Sequence, residues 1–247
     1  MSEASGVGRN GLLNVIDVIV APPAVFARLR VVPTWGWTFL AATLLGIAGM
    51  LLMLPAQTHA FEKSAPATYA ALPQIAKLPP DQQAARINTA VRAGRTVLQL
   101  SWLAVPVTVL LGALLQSVVM LVVNAIVRGD GSFARYWALS IAIAVVSVGL
   151  TLLLTGLIAT IRGPGAFSSP ADVPRALPGL ALLAPGAGTK LAAFLAAFNV
   201  TSIWAAVLGA LGMRTVGRVP LLPAAATTTF LLLVSAVFAA TFTPAST

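Results

Sequence analysis

Two residues that could together handle a proton or a metal ion stand close in this sequence: His59, the single histidine, and Glu62 three residues on, on one face if the segment is helical. One nitrogen and one carboxylate fall short of the set zinc requires, so a solvated interfacial histidine is the better reading. Serines are many, but with no cysteine and no second histidine, neither a Ser/His pair nor a Ser/Lys dyad can be assembled within the apolar segments. Gly163-Pro164-Gly165 and Gly186-Ala187-Gly188 neither follow a strand nor lead into Gly-Lys-Ser/Thr, so they read as turns and not as phosphate cradles. Gly129-Asp130-Gly131 is likewise a tight turn, short of the oxygen ligands of a calcium loop. The sequence therefore offers no catalytic, cofactor-binding or metal-binding set, and the expectation is a protein that is not an enzyme.

What remains are neutral polar and small residues within long apolar runs. Gln116 and Asn124 lie on the second run, which also carries Pro106; Ser147, Thr151 and Thr155 recur every fourth residue on the third, and Ala192/Ala196 and Ala193/Ala197 do so on the fourth. Small stripes let helices approach closely, and amides or hydroxyls bond across the contact at about 0.6 to 2 kcal/mol each. Packing is the favoured reading over a polar path for a solute. Pro106 predicts a kink or tilt, as an ordinary membrane-helix proline or as a hinge.

The elements that must hold these residues follow from composition. Of 247 residues 58% are hydrophobic and only 9% charged, against about 25% charged in a soluble domain, and the mean hydropathy is +0.94. Five runs meet the roughly 20-residue requirement for a span: Trp35 to Leu54, Leu98 to Val127, Tyr136 to Ile161, Leu191 to Met213 and Leu221 to Phe242. None contains Asp, Glu, Lys, Arg or His, so a proton relay or an ion-pair-gated carrier has no obvious machinery. The fold expected is all-α, a polytopic bundle of five transmembrane helices with amphipathic interfacial helices. The first run begins too far into the chain for a cleavable signal peptide and is expected to remain. The division is an N-terminal segment, 1–34, and a five-span membrane domain, 35–247.

Before the first run, Leu12, Leu13, Ile16, Ile19 and Val20 recur at helical spacing around Asn14 and Asp17, and Pro22-Pro23 interrupt the helix. A second piece, Ala24 to Leu29, offers Phe26 and Leu29 with Arg28 and Arg30; such a segment is expected in the membrane interface, with packing on the bundle as the alternative. In the loop from Pro55 to Thr96, the stretch from Asp81 has Ala84, Ile87, Val91, Gly94 and Leu98 on one stripe, which predicts an amphipathic helix running into the second span. The loop from Arg162 to Lys190 holds five prolines and five glycines around an apolar stretch too short to cross, an interfacial or re-entrant turn.

A net charge of +9, from 12 Arg and 3 Lys against 6 acids, would suggest nucleic acid in a soluble chain. At the ends of apolar runs it points instead to anionic lipid headgroups, with no nucleic acid. Arg28 and Arg30 precede the first span, Arg214 and Arg218 the last, and Arg128 to Arg135 forms a short turn, so these ends are expected on the cytoplasmic side and the C-terminus outside. High Ala, Gly and Pro, with Arg over Lys, fit a GC-rich bacterial genome.

The segment Ile16-Asp17-Val18-Ile19-Val20-Ala21-Pro22-Pro23-Ala24-Val25-Phe26-Ala27-Arg28-Leu29, followed by Pro33-Thr34-Trp35, with Gly129-Asp130-Gly131-Ser132-Phe133 and Phe198-Asn199-Val200-Thr201-Ser202-Ile203-Trp204 running to Leu211-Gly212-Met213-Arg214, resembles the bacterial members of the Yip family of membrane proteins. Five spans with a cytoplasmic N-terminus agree with that family. The Asp-Leu-x-Gly-Pro and Gly-Tyr-x-x-x-Pro elements of eukaryotic members are absent, so their GTPase-binding role is not implied. The resemblance implies a fold and a location in the inner membrane. The function expected is a non-enzymatic membrane-organising or scaffold protein, whose partner is another membrane protein or a second copy. The alternative is a transporter component for a neutral or lipidic substrate. Pro106, Gln116, Asn124, Asn199 and Trp204 are the candidate residues for helix contacts or a polar path.

Overall fold

Two prolines set the first feature of the fold. In the computed structural model, which describes residues 2–243 with side chains from residue 11, α1 (Ser2–Val20) stops at Ala21 and α2 (Pro22–Val31) starts on Pro22-Pro23, where missing backbone N–H groups cost nothing. The expected domain limits at residues 1 and 247 lie outside the described residues. Arg28 ties the two helices together, pairing with Asp17 and donating from Nε to Asn14 at 2.8 Å. α1 turns Gly11, Asn14 and Val18 to the bundle and leaves Leu12, Leu13, Ile16 and Val20 exposed, an apolar face of interfacial type. α2 packs on the bundle, the second of the two placements expected for it. Its apolar side, Val25, Phe26 and Leu29, is fully buried against the bundle, because it faces α7 and α10 directly.

Five helices are long and apolar enough to cross a membrane, and the chain is an all-α polytopic bundle. The first is α3 (Gly36–Ala70), whose 35 residues extend about 50 Å. It runs on through Pro55 and Pro66, well past Leu54. The second is a continuous 47-residue run in which α5 (Pro80–Leu100) passes through one 3₁₀ turn, Ser101–Leu103, into α6 (Ala104–Ile126). A short α4 (Pro73–Ala76) joins them. Both run on past what a hydrocarbon core of about 30 Å requires, so residues 55–98 form a helical hairpin standing beyond one end of the bundle. Phe61 packs over Gly94, where a Cβ would meet its ring, and Arg95 reaches Glu62 at 3.3 Å. The stripe of Ile87, Val91, Gly94 and Leu98 is the half-buried side of α5 that faces α3.

The third spanning helix is the centre of the bundle. It is assembled from α7 (Phe133–Ala144), one wide π turn at Val145–Leu150, and α8 (Thr151–Arg162). Every residue from Ala138 to Val146 is buried. α7 packs against α6 and α10, α8 against α3, and the π turn lies where the partners change. There Gly149 faces Ala42, and beyond it Gly49 and Gly156 bring α3 and α8 backbone to backbone; a Cβ on Gly49 would run into the main chain of Leu152.

The fourth apolar run is divided. In place of the one helix expected over Leu191 to Met213, α9 (Thr189–Ala196) ends, the backbone opens over residues 197–199, and α10 (Val200–Gly217) restarts. The cause is the preceding loop. Gly179 forms an isolated antiparallel bridge with Asn199, the Leu180 N–H donates to the Phe198 carbonyl, and a side chain at Gly179 would collide with that carbonyl. The loop is anchored by Phe167, Val173 and Ala176, buried against Met53, Ala56, Ala60 and Ala159. The fifth helix, α11 (Leu221–Phe242), coincides with the fifth run.

Exposed leucines, valines and phenylalanines such as Leu44, Leu111, Leu157 and Phe230 cover the flanks of the five helices, the outer surface a bilayer requires. At the end that carries the 127–132 and 217–220 turns, hereafter the turn end, Trp35 meets Trp137 edge-on at 6.0 Å and Trp37 is also exposed. Phe194, Phe198, Phe238 and Phe242 gather toward the other end, the hairpin end. The arrangement is that of interfacial aromatic belts.

Candidate functional site

Asn124 and Gln116 stand eight residues apart on α6 and do different things. Asn124 is buried in the last turn of α6, and all its hydrogen-bonding capacity serves the connection to α7. Its Nδ2 donates to the carbonyls of Gly129 and Gly131, at 3.2 and 3.3 Å, while its Oδ1 accepts from the Gly131 N–H at 3.1 Å and from the Tyr136 hydroxyl at 2.8 Å. The glycines are required sterically. A Cβ at Gly129 would strike Asn124, one at Gly131 the Tyr136 ring, and one at Gly217 the Tyr136 hydroxyl. The Asp130 N–H donates to the Gly217 carbonyl, and the Asp130 carboxylate holds Arg30 at 3.1 Å and Arg218 at 3.3 Å. Three connections, after α2, α6 and α10, are thus fastened at one point. Each exposed ion pair contributes little, about 0 to 1 kcal/mol; the buried Asn124 network contributes more.

Gln116 lies midway along α6 and faces a cavity of about 310 Å³ between α6, the π turn, α10 and α11. The polar groups of its wall are all uncharged: Gln116, Ser147, Ser202, Thr228 and Ser235. Three of these hydroxyls are spent on nearby backbone carbonyls. Thr228 donates to Ala225 at 3.1 Å, Ser235 to Leu232 at 2.7 Å, and Ser202 to Asn199 at 3.0 Å. The Gln116 amide and the Ser147 hydroxyl make no hydrogen bond among the described residues. Ser147 sits in the π turn, whose extra residue per turn rotates it away from the line set by Thr151 and Thr155, and π turns recur at functional positions.

Asn199 caps the restarted helix. Its side-chain oxygen accepts from the Ser202 N–H at 3.0 Å and from the Thr201 hydroxyl at 2.7 Å, and the Thr201 and Thr151 hydroxyls touch at 2.6 Å across the α8–α10 contact. The four-residue stripe on the third span is therefore split: Thr151 and Thr155 pack and bond, while Ser147 lines the cavity. Trp204 is exposed on the outer face of α10 and joins neither network.

No family model, curated protein or solved structure matches this chain.

Pro106 lies in the first turn of α6 and is half-buried. The distortion expected of it falls one turn earlier, at Ser101–Leu103, because the bond a proline cannot make is the one to the carbonyl four residues before it, that of Trp102. His59 is exposed, and its neighbour Glu62 is engaged by Arg95. Among the described residues no three His, Cys, Asp or Glu side chains gather as a metal site. The glycine pair Gly49 and Gly156 is not among the contact residues expected from the sequence. Its signal there is the recurrence of glycine at Gly46 and Gly49 on one helix and at Gly149 and Gly156, seven apart, on the other.

Proposed function

We propose that this protein is a non-enzymatic membrane-organising or scaffold protein that resembles the bacterial Yip family and engages another membrane protein, or a second copy of itself, through the projecting 55–98 hairpin. The observation that carries this reading is the hairpin itself. α3 and α5 run on well beyond the bundle, α5 buries no residue, and the hairpin presents Lys63, Lys77, Arg86, Arg92 and Arg95 against only Glu62 and Asp81. An element held out on two continuous helices is suited to contact, since its direction is fixed by the bundle while its surface stays free.

The protein's place in this reading is the inner membrane, with the N-terminus and the turn end cytoplasmic and the hairpin and C-terminus outside. Arg28, Arg30, Arg128, Arg135, Arg214 and Arg218 at the turn end support it, because basic residues close to span ends are retained on the cytoplasmic side and are attracted to anionic headgroups.

The test is site-specific photo-cross-linking in native membranes. A photoreactive residue in place of Asn88 or Arg92, both exposed on α5, is expected to give one discrete adduct, a dimer or a single partner, well above that given by the same group in place of lipid-facing Leu44. Equal, diffuse cross-linking at all three positions overturns the reading. So does unaided turnover of a solute or lipid by the purified protein in liposomes.

A further inference from the structure

The cavity beside Gln116 carries an inference that stands apart from the hairpin. Its position in depth comes first. Gln116 is ten residues from the turn-end limit of α6, about 15 Å, which places it near the middle of a hydrocarbon core about 30 Å thick. Its opening comes second: Gly112, Leu115 and Ser235 are exposed, so the mouth lies on the flank of the bundle between α6 and α11, facing the bilayer and neither aqueous side. The third point is chemistry. An amide with two donors and an acceptor, together with a hydroxyl, lies in a setting without bulk water and without a protein partner for either, and such groups are costly to leave unpaired. No charged side chain lines the wall, so a charged headgroup would find no counter-ion.

We propose that this cavity is a binding site for an uncharged, hydroxyl-bearing lipid, whose hydroxyl bonds to Gln116 and Ser147 while its hydrocarbon chain leaves between α6 and α11. The volume, about 310 Å³, is at the lower end of ligand pockets, roughly 300 to 1,000 Å³, and suits the polar end and first stretch of one chain. Entry is lateral from the bilayer, across the exposed edge formed by Gly112, Leu115 and Ser235. The π turn shapes the rear wall by presenting Ser147 beside Ile143.

Gly112 supplies a clean test, because it lies at the mouth and a Cβ built on it meets nothing within 4 Å, so a larger side chain there can obstruct the opening without displacing backbone. Purified full-length protein in phosphatidylcholine vesicles is exposed to a long-chain alcohol carrying a diazirine, and to probes of the same chain ending in a carboxylate or in a methyl group. The alcohol is expected to label the lining segments of α6, the π turn, α10 and α11, saturably and in competition with unlabelled alcohol. Gly112→Leu is expected to lower that labelling about tenfold with an unchanged unfolding temperature. Gln116→Leu is expected to abolish the preference of the alcohol over the methyl-ended probe. Ala206→Leu, which fills the cavity from α10, serves as a second blocking variant should Gly112→Leu lower the unfolding temperature. Labelling that is equal for all three probes, or that follows the exposed flanks at Leu44 and Phe238 and is unaffected by both blocking variants, overturns the proposal and leaves only bulk acyl chains resting in a surface groove.

Discussion

The Tyr136 hydroxyl donates to the side-chain oxygen of Asn124 at 2.8 Å, joining the start of α7 to the end of α6 across the turn that separates them. Asn124 makes three further bonds to that turn, so one buried side chain satisfies both the Gly129 and Gly131 carbonyls and the Gly131 N–H. Removing it leaves a buried hydroxyl, an N–H and two carbonyls short of partners. Asn124→Leu is expected to destabilise the protein by about 2 to 4 kcal/mol, and Tyr136→Phe, which removes one donor and keeps the ring, by about 1 kcal/mol. Unfolding in detergent micelles measures both. A wild-type midpoint for Asn124→Leu would show that the turn is held by something else, and would return Asn124 to the polar-path reading.

A second prediction concerns the contact that fixes the central helix. Gly49 and Gly156 allow α3 and α8 to meet main chain to main chain, and a single methyl group at either position would overlap backbone atoms, which cannot rotate aside as a side chain would. Gly49→Ala is therefore expected to cost about 1 to 3 kcal/mol, although alanine is the better helix former. Gly112→Ala, on an open face, is expected to be neutral or slightly stabilising. The same unfolding assay reads the pair, and an unchanged Gly49→Ala would mean that the two helices can slide apart freely.

The sequence disclosed the fold through its largest signals and concealed the site in its smallest. Five apolar runs and the stripe from Ile87 to Leu98 were legible because hydropathy and helical period persist over many residues, while Ala84, expected on that stripe, is exposed. Three features were not. α3 ignores Pro55 and Pro66, which local rules treat as breakers, because Ala56 and Ala60 are buried against the 163–188 loop and Phe61 packs on α5. The fourth run is broken at Asn199 by a strand-like contact with Gly179, twenty residues away, and no local pattern encodes that contact. The π turn at Val145–Leu150 sits among valines indistinguishable from their neighbours, so the separation of Ser147 from Thr151 and Thr155 appears only in three dimensions. Gln116 and Asn124 look alike in the sequence; whether a partner is present in space divides them.

A third prediction follows from backbone conformation. Among the described residues, Arg128, just beyond α6, and Arg218, just beyond α10, are the two non-glycine residues with positive φ, at 57° and 53°, a region costing about 1 to 2 kcal/mol for a side chain with Cβ. Arg218 draws an ion pair with Asp130 from its position, whereas Arg128 forms none among the described residues. Arg128→Gly should raise stability by about 1 kcal/mol, and Arg218→Gly by less, since it also gives up the pair. If thermal unfolding finds Arg128→Gly destabilising, its guanidinium has a role in the membrane-bound protein, with lipid headgroups the leading partner.

The last prediction decides which way the bundle faces, and the chain is well suited to it because it contains no cysteine. Gln74 is exposed in α4 at the tip of the hairpin, and Ser132 is exposed in the turn between α6 and α7, so the two mark opposite ends of the bundle. Gln74→Cys and Ser132→Cys, made singly, each place one thiol where neither side chain is buried. In the proposed orientation Ser132 lies inside, by the asymmetry that retains basic residues close to spans on the cytoplasmic face. A membrane-impermeant maleimide on intact cells is expected to label Gln74→Cys and to reach Ser132→Cys only after permeabilisation. The opposite pattern would invert the bundle, put the basic hairpin against the cytoplasm, and make anionic headgroups or a cytoplasmic protein its natural contact. Labelling of both thiols in intact cells would contradict a single orientation and the five-span arrangement with it.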